Sequence, residues 1–211
     1  VSPGFDPATA LTAELSLPAA RYSTMEQVEG FYHDLLTRAA AIPGVQVAGA
    51  GEVVPLGPSN DGTAIGGFSG CSGMSIEDPG EDRGQQVGCI GAKTIAPGYF
   101  RALGIKLRGS EPGWSDVESH TAGVVVTRAL AARLWPGQDA IGKGMKLGGR
   151  KPPFYRVVGI SDDIHGEALS DPPAEAVFYP LLPIANTYLE GPVRTMTVVL
   201  RSTGVPPTVL A

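Results

Sequence analysis

The chain has 211 residues, of which 43% are hydrophobic and 18% are charged, so it is neither disordered nor fibrous and forms one domain or two small ones. Its formal net charge is −5 and it has no basic cluster, which gives no electrostatic reason to bind nucleic acid. The 29 glycines and 19 prolines indicate many turns and short elements.

The first third of the chain has the pattern of a strand, a helix and a second strand. Residues 10–17 alternate apolar and polar side chains, as a half-buried strand does. Ser23 and Glu26 have the spacing of a capping box, and apolar residues then follow at helical spacing until Pro43. Residues 45–54 predict the second strand. This order indicates an α+β or α/β layer.

The rest of the chain predicts short elements separated by loops. Residues 55–84 predict an irregular region with one short strand at 63–69, and residues 110–122 predict a polar loop. The other predicted elements are helices at 99–103 and 128–135, the latter capped by Thr127, strands at 85–95, 105–107, 123–127, 154–164, 176–182 and 196–202, and a strand or hairpin at 141–149. Helices and strands do not alternate regularly, which favours the α+β class.

The sequence contains no motif of a known catalytic or cofactor site. It has no GxSxG elbow, HExxH pair or P-loop. We therefore predict that the protein is not an enzyme and has no catalytic, cofactor-binding or metal-binding residue. One alternative is a hydrolase or metal enzyme built on Asp162, Asp163 and His165, because carboxylates beside a histidine can bind a divalent metal. A polar turn at a strand end is the favoured interpretation of these three residues.

Two further features are candidates for a structural or contact role. Cys71 and Cys89 lie in the same glycine-rich region, and a disulfide between them would stabilise the fold by roughly 3 kcal/mol in an oxidising compartment. Two unrelated thiols are the alternative. Trp114 lies in the predicted polar loop and is the candidate for a contact surface.

The order of several segments resembles a known family. The matching stretches include PGYFRALGIKLRG at 97–109, VVVTRALAARLWPGQDAIGKGMKLGG at 124–149 and YRVVGISDDIHGEALSDPPAEAVFYPL at 155–181, with further matches at 5–56 and 196–204. Together they resemble the MacB-like periplasmic core domain of FtsX-type ABC transporter permeases. The stretch SEPGWSDVESH at 110–120 departs from the "GR-x-F" opening usual in the family.

The resemblance implies a fold in two lobes: a porter-like lobe at 1–95 and 166–211, and a smaller inserted α/β lobe, called Sabre, at 96–165. It also implies one transmembrane helix before this domain and three after it, at the periplasmic or extracellular face of the bacterial cytoplasmic membrane. The family domain has no active site and no cofactor, and a separate cytoplasmic ATPase hydrolyses ATP.

The resemblance further implies that the domain couples transmembrane-helix motion to export or periplasmic work. Its expected partners are its own transmembrane segments, the ATPase, and a periplasmic adaptor or substrate, in a dimeric permease. The alternative is a free-standing secreted module that binds a lipid, a peptide or a small molecule.

Overall fold

The computed structural model describes residues 3–57, 72–78, 81–118, 123–147, 155–166, 168–181 and 192–203. These residues form a mixed fold with one large sheet and few helices, which confirms the predicted α+β class. The described helices are α1 (Met25–Ala40), α2 (Tyr99–Leu103), α3 (Trp114–Glu118) and α4 (Arg128–Leu134). The described strands are β1 (Ala10–Ser16), β2 (Val45–Gly51), β3 (Ser72–Asp78), β4 (Glu81–Ala96), β5 (Leu107–Gly109), β6 (Gly123–Thr127), β7 (Gly144–Leu147), β8 (Tyr155–Ser161), β9 (Ala176–Pro180) and β10 (Thr195–Ser202).

The described strands join into one sheet in the order β1-β10-β2-β4-β3-β7-β8-β6-β9, with β5 paired to β8. The first part is open, because β1, β10 and β2 pair antiparallel side by side. In the second part β9 also pairs in parallel with β4, so that β4, β3, β7, β8, β6 and β9 close into a ring. Each strand of the ring contributes buried residues to one apolar cluster, which α4 completes.

The ring takes strands from both of the predicted lobes. β3 and β9 fall in the predicted porter-like lobe, whereas β6, β7 and β8 fall in the predicted insert at 96–165. Strand pairing therefore continues across the predicted boundaries, between β3 and β7 and between β6 and β9. The division into a porter-like and a Sabre-like lobe stays a prediction.

Helices α1 and α2 cover opposite faces of the open part of the sheet. Val198 and Val199 are neighbours in β10, and successive side chains of a strand point to opposite faces. Val198 packs in the cluster that contains Tyr32 of α1, and Val199 packs in the cluster that contains Phe100 of α2. The sheet is thus buried on both sides at this point.

Helix α1 begins one residue later than the sequence predicted. Its N-cap is Thr24, whose side chain accepts a hydrogen bond from the backbone of Gln27, and the Gln27 side chain accepts one from the backbone of Thr24. The predicted box used Ser23 and Glu26. The sequence allows a capping box either from Ser23 to Glu26 or from Thr24 to Gln27. The second is the one that forms, and the buried face of the helix then begins at Val28.

Other differences concern the predicted loops. The polar loop predicted at 110–122 contains the short helix α3, and the predicted strand at 105–107 lies instead at Leu107–Gly109. The irregular region predicted at 55–84 contains β3 and the start of β4. The strand predicted at 63–69 lies outside the described residues. The Thr127 cap of α4 is as predicted, since its hydroxyl accepts from the backbone of Leu130. Among the described helices, none combines the length and apolarity that crossing a bilayer requires.

Candidate functional site

Trp114, the predicted contact residue, is the first residue of α3 and lies against α1. Its ring meets the ring of His33 edge-on, with 4.7 Å between the centroids and 88° between the planes. The indole also packs on the edge of the apolar cluster beneath α1, whose buried members include Leu36. Trp114 is thus an internal contact between α3 and α1, and a role toward an outside partner stays a prediction.

Glu111, which precedes α3, is a carboxylate buried beside α2. Its side chain is only 9% exposed, and its Oε1 accepts a hydrogen bond from the backbone nitrogen of Phe100 at 3.1 Å. Its Oε2 is buried without a hydrogen-bond partner among the described residues and lies 3.5 Å from Nε of Arg101. Burial raises the pKa of Glu111 above its usual 4.5, against the lowering effects of the Phe100 and Gly98 backbone groups and of the Arg101 guanidinium.

The sequence did not single out Glu111. The one signal that could have pointed to it is that residues 110–120 depart from the family pattern. This departure puts a glutamate and a proline in the loop that follows a short strand. Acidic residues in such loops are usually solvated, and only the fold brings this one against the first turn of α2.

The three residues of the metal-enzyme alternative have structural partners instead. Asp162 forms an ion pair with Arg128, the first residue of α4. Asp163 accepts a hydrogen bond from the backbone nitrogen of Ala129 at 3.1 Å. His165 is buried, and its Nδ1 lies 2.9 Å from the backbone oxygen of Asp171. The two carboxylates hold the start of α4, and the histidine braces the loop that follows β8.

Within the described ranges, no group of three or more His, Cys, Asp or Glu side chains is placed to hold a metal ion. Cys71 and the side chain of Cys89 lie outside the described residues. The backbone of Cys89 belongs to β4, where its partner in β3 is Gly73. The disulfide between Cys71 and Cys89 stays a prediction.

A small pocket of about 400 Å³ lies between α4 and the end of β8, with Arg108 and Arg128 among its lining residues. Both guanidinium groups are already paired, Arg128 with Asp162 and Arg108 with both carboxylate oxygens of Asp139, at 2.8 and 2.9 Å. The Arg108 hydrogen bonds lower the pKa of Asp139 to about 2. Because each arginine is neutralised, the pocket gives no reason to expect an anionic ligand.

A larger groove of about 730 Å³ runs along the solvent side of α1. It is lined by the half-buried side chains of Tyr22, Phe31 and Leu35 and by exposed charged residues of both signs. Phe31 and Leu35 belong to the apolar residues at helical spacing after Ser23, a pattern that predicts a buried helix face, and for this reason the groove was not predicted. It is a candidate interaction surface with mixed charge.

Gly30 lies in the middle of α1 on this groove, and a methyl group there would meet nothing within 4 Å. Glycine in a helix interior costs about 0.5–1 kcal/mol relative to alanine. We therefore expect Gly30→Ala to raise the free energy of unfolding by that amount, measured by urea denaturation. Gly137→Ala is the matched control: its site is equally open, but its φ of +71° strains alanine, so it should lower stability. A loss of stability in Gly30→Ala would contradict the helix geometry described here.

Comparisons with known proteins identify what the chain is similar to. The family model described as "MacB-like periplasmic core domain" matches residues 21–211. The crystal structure of the periplasmic region of MacB from Actinobacillus actinomycetemcomitans aligns with a TM-score of 0.59 at 14% identity, covering 98% of this chain and 80% of that one. A domain described as belonging to a permease protein, from Porphyromonas gingivalis, aligns with a TM-score of 0.51 at 16% identity, covering 96% of this chain and 78% of that one. No curated protein matches the chain.

Proposed function

Because the chain belongs to the MacB-like periplasmic core domain family, we propose that it couples the motion of transmembrane helices to export or to other work outside the cytoplasmic membrane. The family match over residues 21–211 is the observation that carries this proposal, and it confirms the resemblance seen in the sequence. The family is that of the periplasmic domains of MacB-like ABC transporter permeases. The role in coupling transmembrane-helix motion to work is our proposal and goes beyond membership of this family.

The packing of the described residues supports such a role. Each lobe of a domain that transmits motion must itself resist deformation, and close-packed interiors transmit displacement because they are hardly compressible. At β10 both faces of the open part of the sheet are covered, by α1 and by α2, and β9 is fully buried along its length. The polar groups singled out in the sequence, such as Asp162 and Asp163, hold elements together.

In this proposal the domain is not catalytic and binds no cofactor. ATP binds to and is hydrolysed by a separate cytoplasmic ATPase subunit or domain, and the permease acts as a dimer. The domain stands at the periplasmic or extracellular face of the membrane, joined to its own transmembrane segments, and a periplasmic adaptor or a substrate receives the motion. The two predicted lobes, 1–95 with 166–211 and 96–165, would change their relative pose during the cycle.

A reversible crosslink between the two predicted lobes tests the proposal. His33 belongs to the first lobe and Trp114 to the insert, and their rings are in contact, so cysteines at both positions can be bridged by a short crosslinker that reductant cleaves. In the full permease with its ATPase, we expect the crosslink to reduce ATP turnover in membranes to the background level, and we expect reductant to restore it. Locked lobes would block the motion to which hydrolysis is coupled.

The matched control is a cysteine pair at Ser16 and Thr195, which are partners in β1 and β10 and lie within one predicted lobe. This crosslink should leave ATP turnover unchanged. The unmutated permease, treated with crosslinker and reductant in the same way, controls for Cys71 and Cys89. Full ATP turnover with the His33–Trp114 crosslink quantitatively formed would refute the proposed coupling between the lobes.

A further inference from the structure

The segment Ser110–Trp114 contacts three different elements within five residues. The backbone nitrogen of Ser110 donates to the backbone oxygen of Val158 in β8 at 2.9 Å. Glu111 accepts from the first turn of α2, and Trp114 contacts α1 through His33. Since α1 and α2 lie on opposite faces of the open sheet, this segment joins the two faces and ties both to β8. We call it the latch segment.

Glu111, the second of the three residues that attach the latch segment, has only part of its hydrogen-bonding capacity filled. One oxygen of Glu111 has a backbone donor, whereas the other is buried and has no hydrogen-bond partner among the described residues. The nearby Arg101 guanidinium is 69% exposed, so much of its charge is screened by solvent. A buried carboxylate oxygen without a donor is costly when the group is ionised. Protonation lowers that cost, because a neutral carboxyl group is cheaper to bury than a charged one, and it keeps the hydrogen bond from Phe100.

We propose that the latch segment is a pH-dependent device: it stays docked between α1 and α2 while Glu111 is protonated, and it releases Trp114 from α1 when Glu111 ionises. The consequence for a transporter, that external acidity would set how firmly α1 and α2 are tied to β8, rests on the proposed function. The pH-dependent docking of the latch segment does not depend on the proposed function.

The groups around Glu111 act on its pKa in opposite directions, and desolvation by burial is the largest effect. On α2, the positive charge of Arg101 favours the ionised form of Glu111. The buried hydroxyl of Tyr99 stays neutral, because burial raises its pKa. On the segment's own side, Asp116 accepts from the backbone of Gly113 at 2.7 Å, and on α1, Asp34 stands beside His33. Desolvation of Glu111 exceeds the combined lowering effects of Arg101 and of the Phe100 and Gly98 backbone groups, so the docked form binds a proton more tightly than the released form.

The sign of the pH dependence follows from this difference. The folded, docked state has the higher pKa, so its stability is greatest below the usual glutamate value of 4.5 and is lost as the pH rises through the raised value. Between these two limits the ratio of released to docked forms should rise by up to about tenfold per pH unit. Above the raised value the ratio should level off.

NMR of the 15N-labelled 211-residue chain tests the device through its two tryptophan indole N–H signals, with Trp114→Phe identifying the signal of Trp114. We expect this signal to move between pH 4 and 8 with a midpoint above that of an ordinary glutamate. Glu111→Gln keeps the shape and the acceptor while removing the charge, and it should hold the Trp114 signal at its low-pH position throughout. Glu14→Gln, at an exposed glutamate of β1, is the control and should titrate like the unmutated chain.

The His33 ring contacts Trp114 directly, so His33→Gln separates an effect of the imidazole on the Trp114 signal from the effect of Glu111. The device requires that the midpoint persists in His33→Gln and disappears in Glu111→Gln. Loss of the transition in His33→Gln, or an unchanged transition in Glu111→Gln, would overturn it. As a second readout, exchange of the Phe100 backbone amide should speed up with pH by more in the unmutated chain than in Glu111→Gln, and equal slopes would also overturn it. Since these measurements need no membrane, their failure leaves the crosslinking result on the permease unaffected, and the reverse is equally true.

Discussion

Replacing Phe178 with alanine is expected to lower the free energy of unfolding by about 3–5 kcal/mol, the range for removing a buried aromatic ring. Phe178 is completely buried in β9. Its ring centroid lies 5.0 Å from that of Phe100 and 5.8 Å from that of Tyr99. The residue pairs with Lys93 of β4 on one side and Val125 of β6 on the other, so the cavity would open where the ring of strands meets α2.

Urea denaturation followed by circular dichroism measures this loss, with two variants as references. Phe178→Leu retains most of the buried volume and should lose far less stability than Phe178→Ala. Leu169→Ala removes a side chain that is 43% exposed and should change stability by no more than about 0.5 kcal/mol. A loss below about 1 kcal/mol in Phe178→Ala would mean that β9 is not the packed centre described here.

The sequence predicted the elements whose side chains carry a local signal. The alternation at 10–17 and the helical spacing after Ser23 predicted β1 and α1, and Thr127 predicted the start of α4. Each of these signals lies within one short, continuous stretch of the sequence. The closure of six strands into a ring carries no such signal, because the pairing of β4 with β9 joins residues more than 80 positions apart.

The same limit explains what the sequence predicted of the candidate site. Trp114 was selected because a tryptophan in a polar loop is unusual, but its partner His33 lies 81 positions earlier in the chain, at the half-buried edge of α1. Glu111 could not be distinguished from a solvated loop carboxylate, since its burial depends on how α2 folds back beside residue 111. Asp162, Asp163 and His165 were interpreted as a polar turn because adjacent residues at a strand end point in different directions, and the structure gives each of them a separate partner.

Adding one methyl group at Gly49 should cost about 3 kcal/mol, the upper part of the range for overpacking, although the same change at Gly30 is expected to stabilise. Gly49 lies in β2, and a Cβ there would come within 2.5 Å of the backbone oxygen of Gly98 and the backbone nitrogen of Tyr99. These atoms belong to the start of α2 and cannot rotate away as a side chain can. Glycine in a strand marks such a close approach of two backbones.

The sheet resists relaxation of this clash, because Gly49 is held within it by its pairing with Val199 in β10. Helix α2 would have to move off the sheet, and Tyr99 and Phe100, both fully buried, would lose contacts with it. We therefore expect Gly49→Ala to lower the urea midpoint strongly and to speed exchange of the Phe100 backbone amide. Equal stability of Gly49→Ala and Gly30→Ala would show that α2 does not rest on β2 as described, and would remove the support that Glu111 gains from α2.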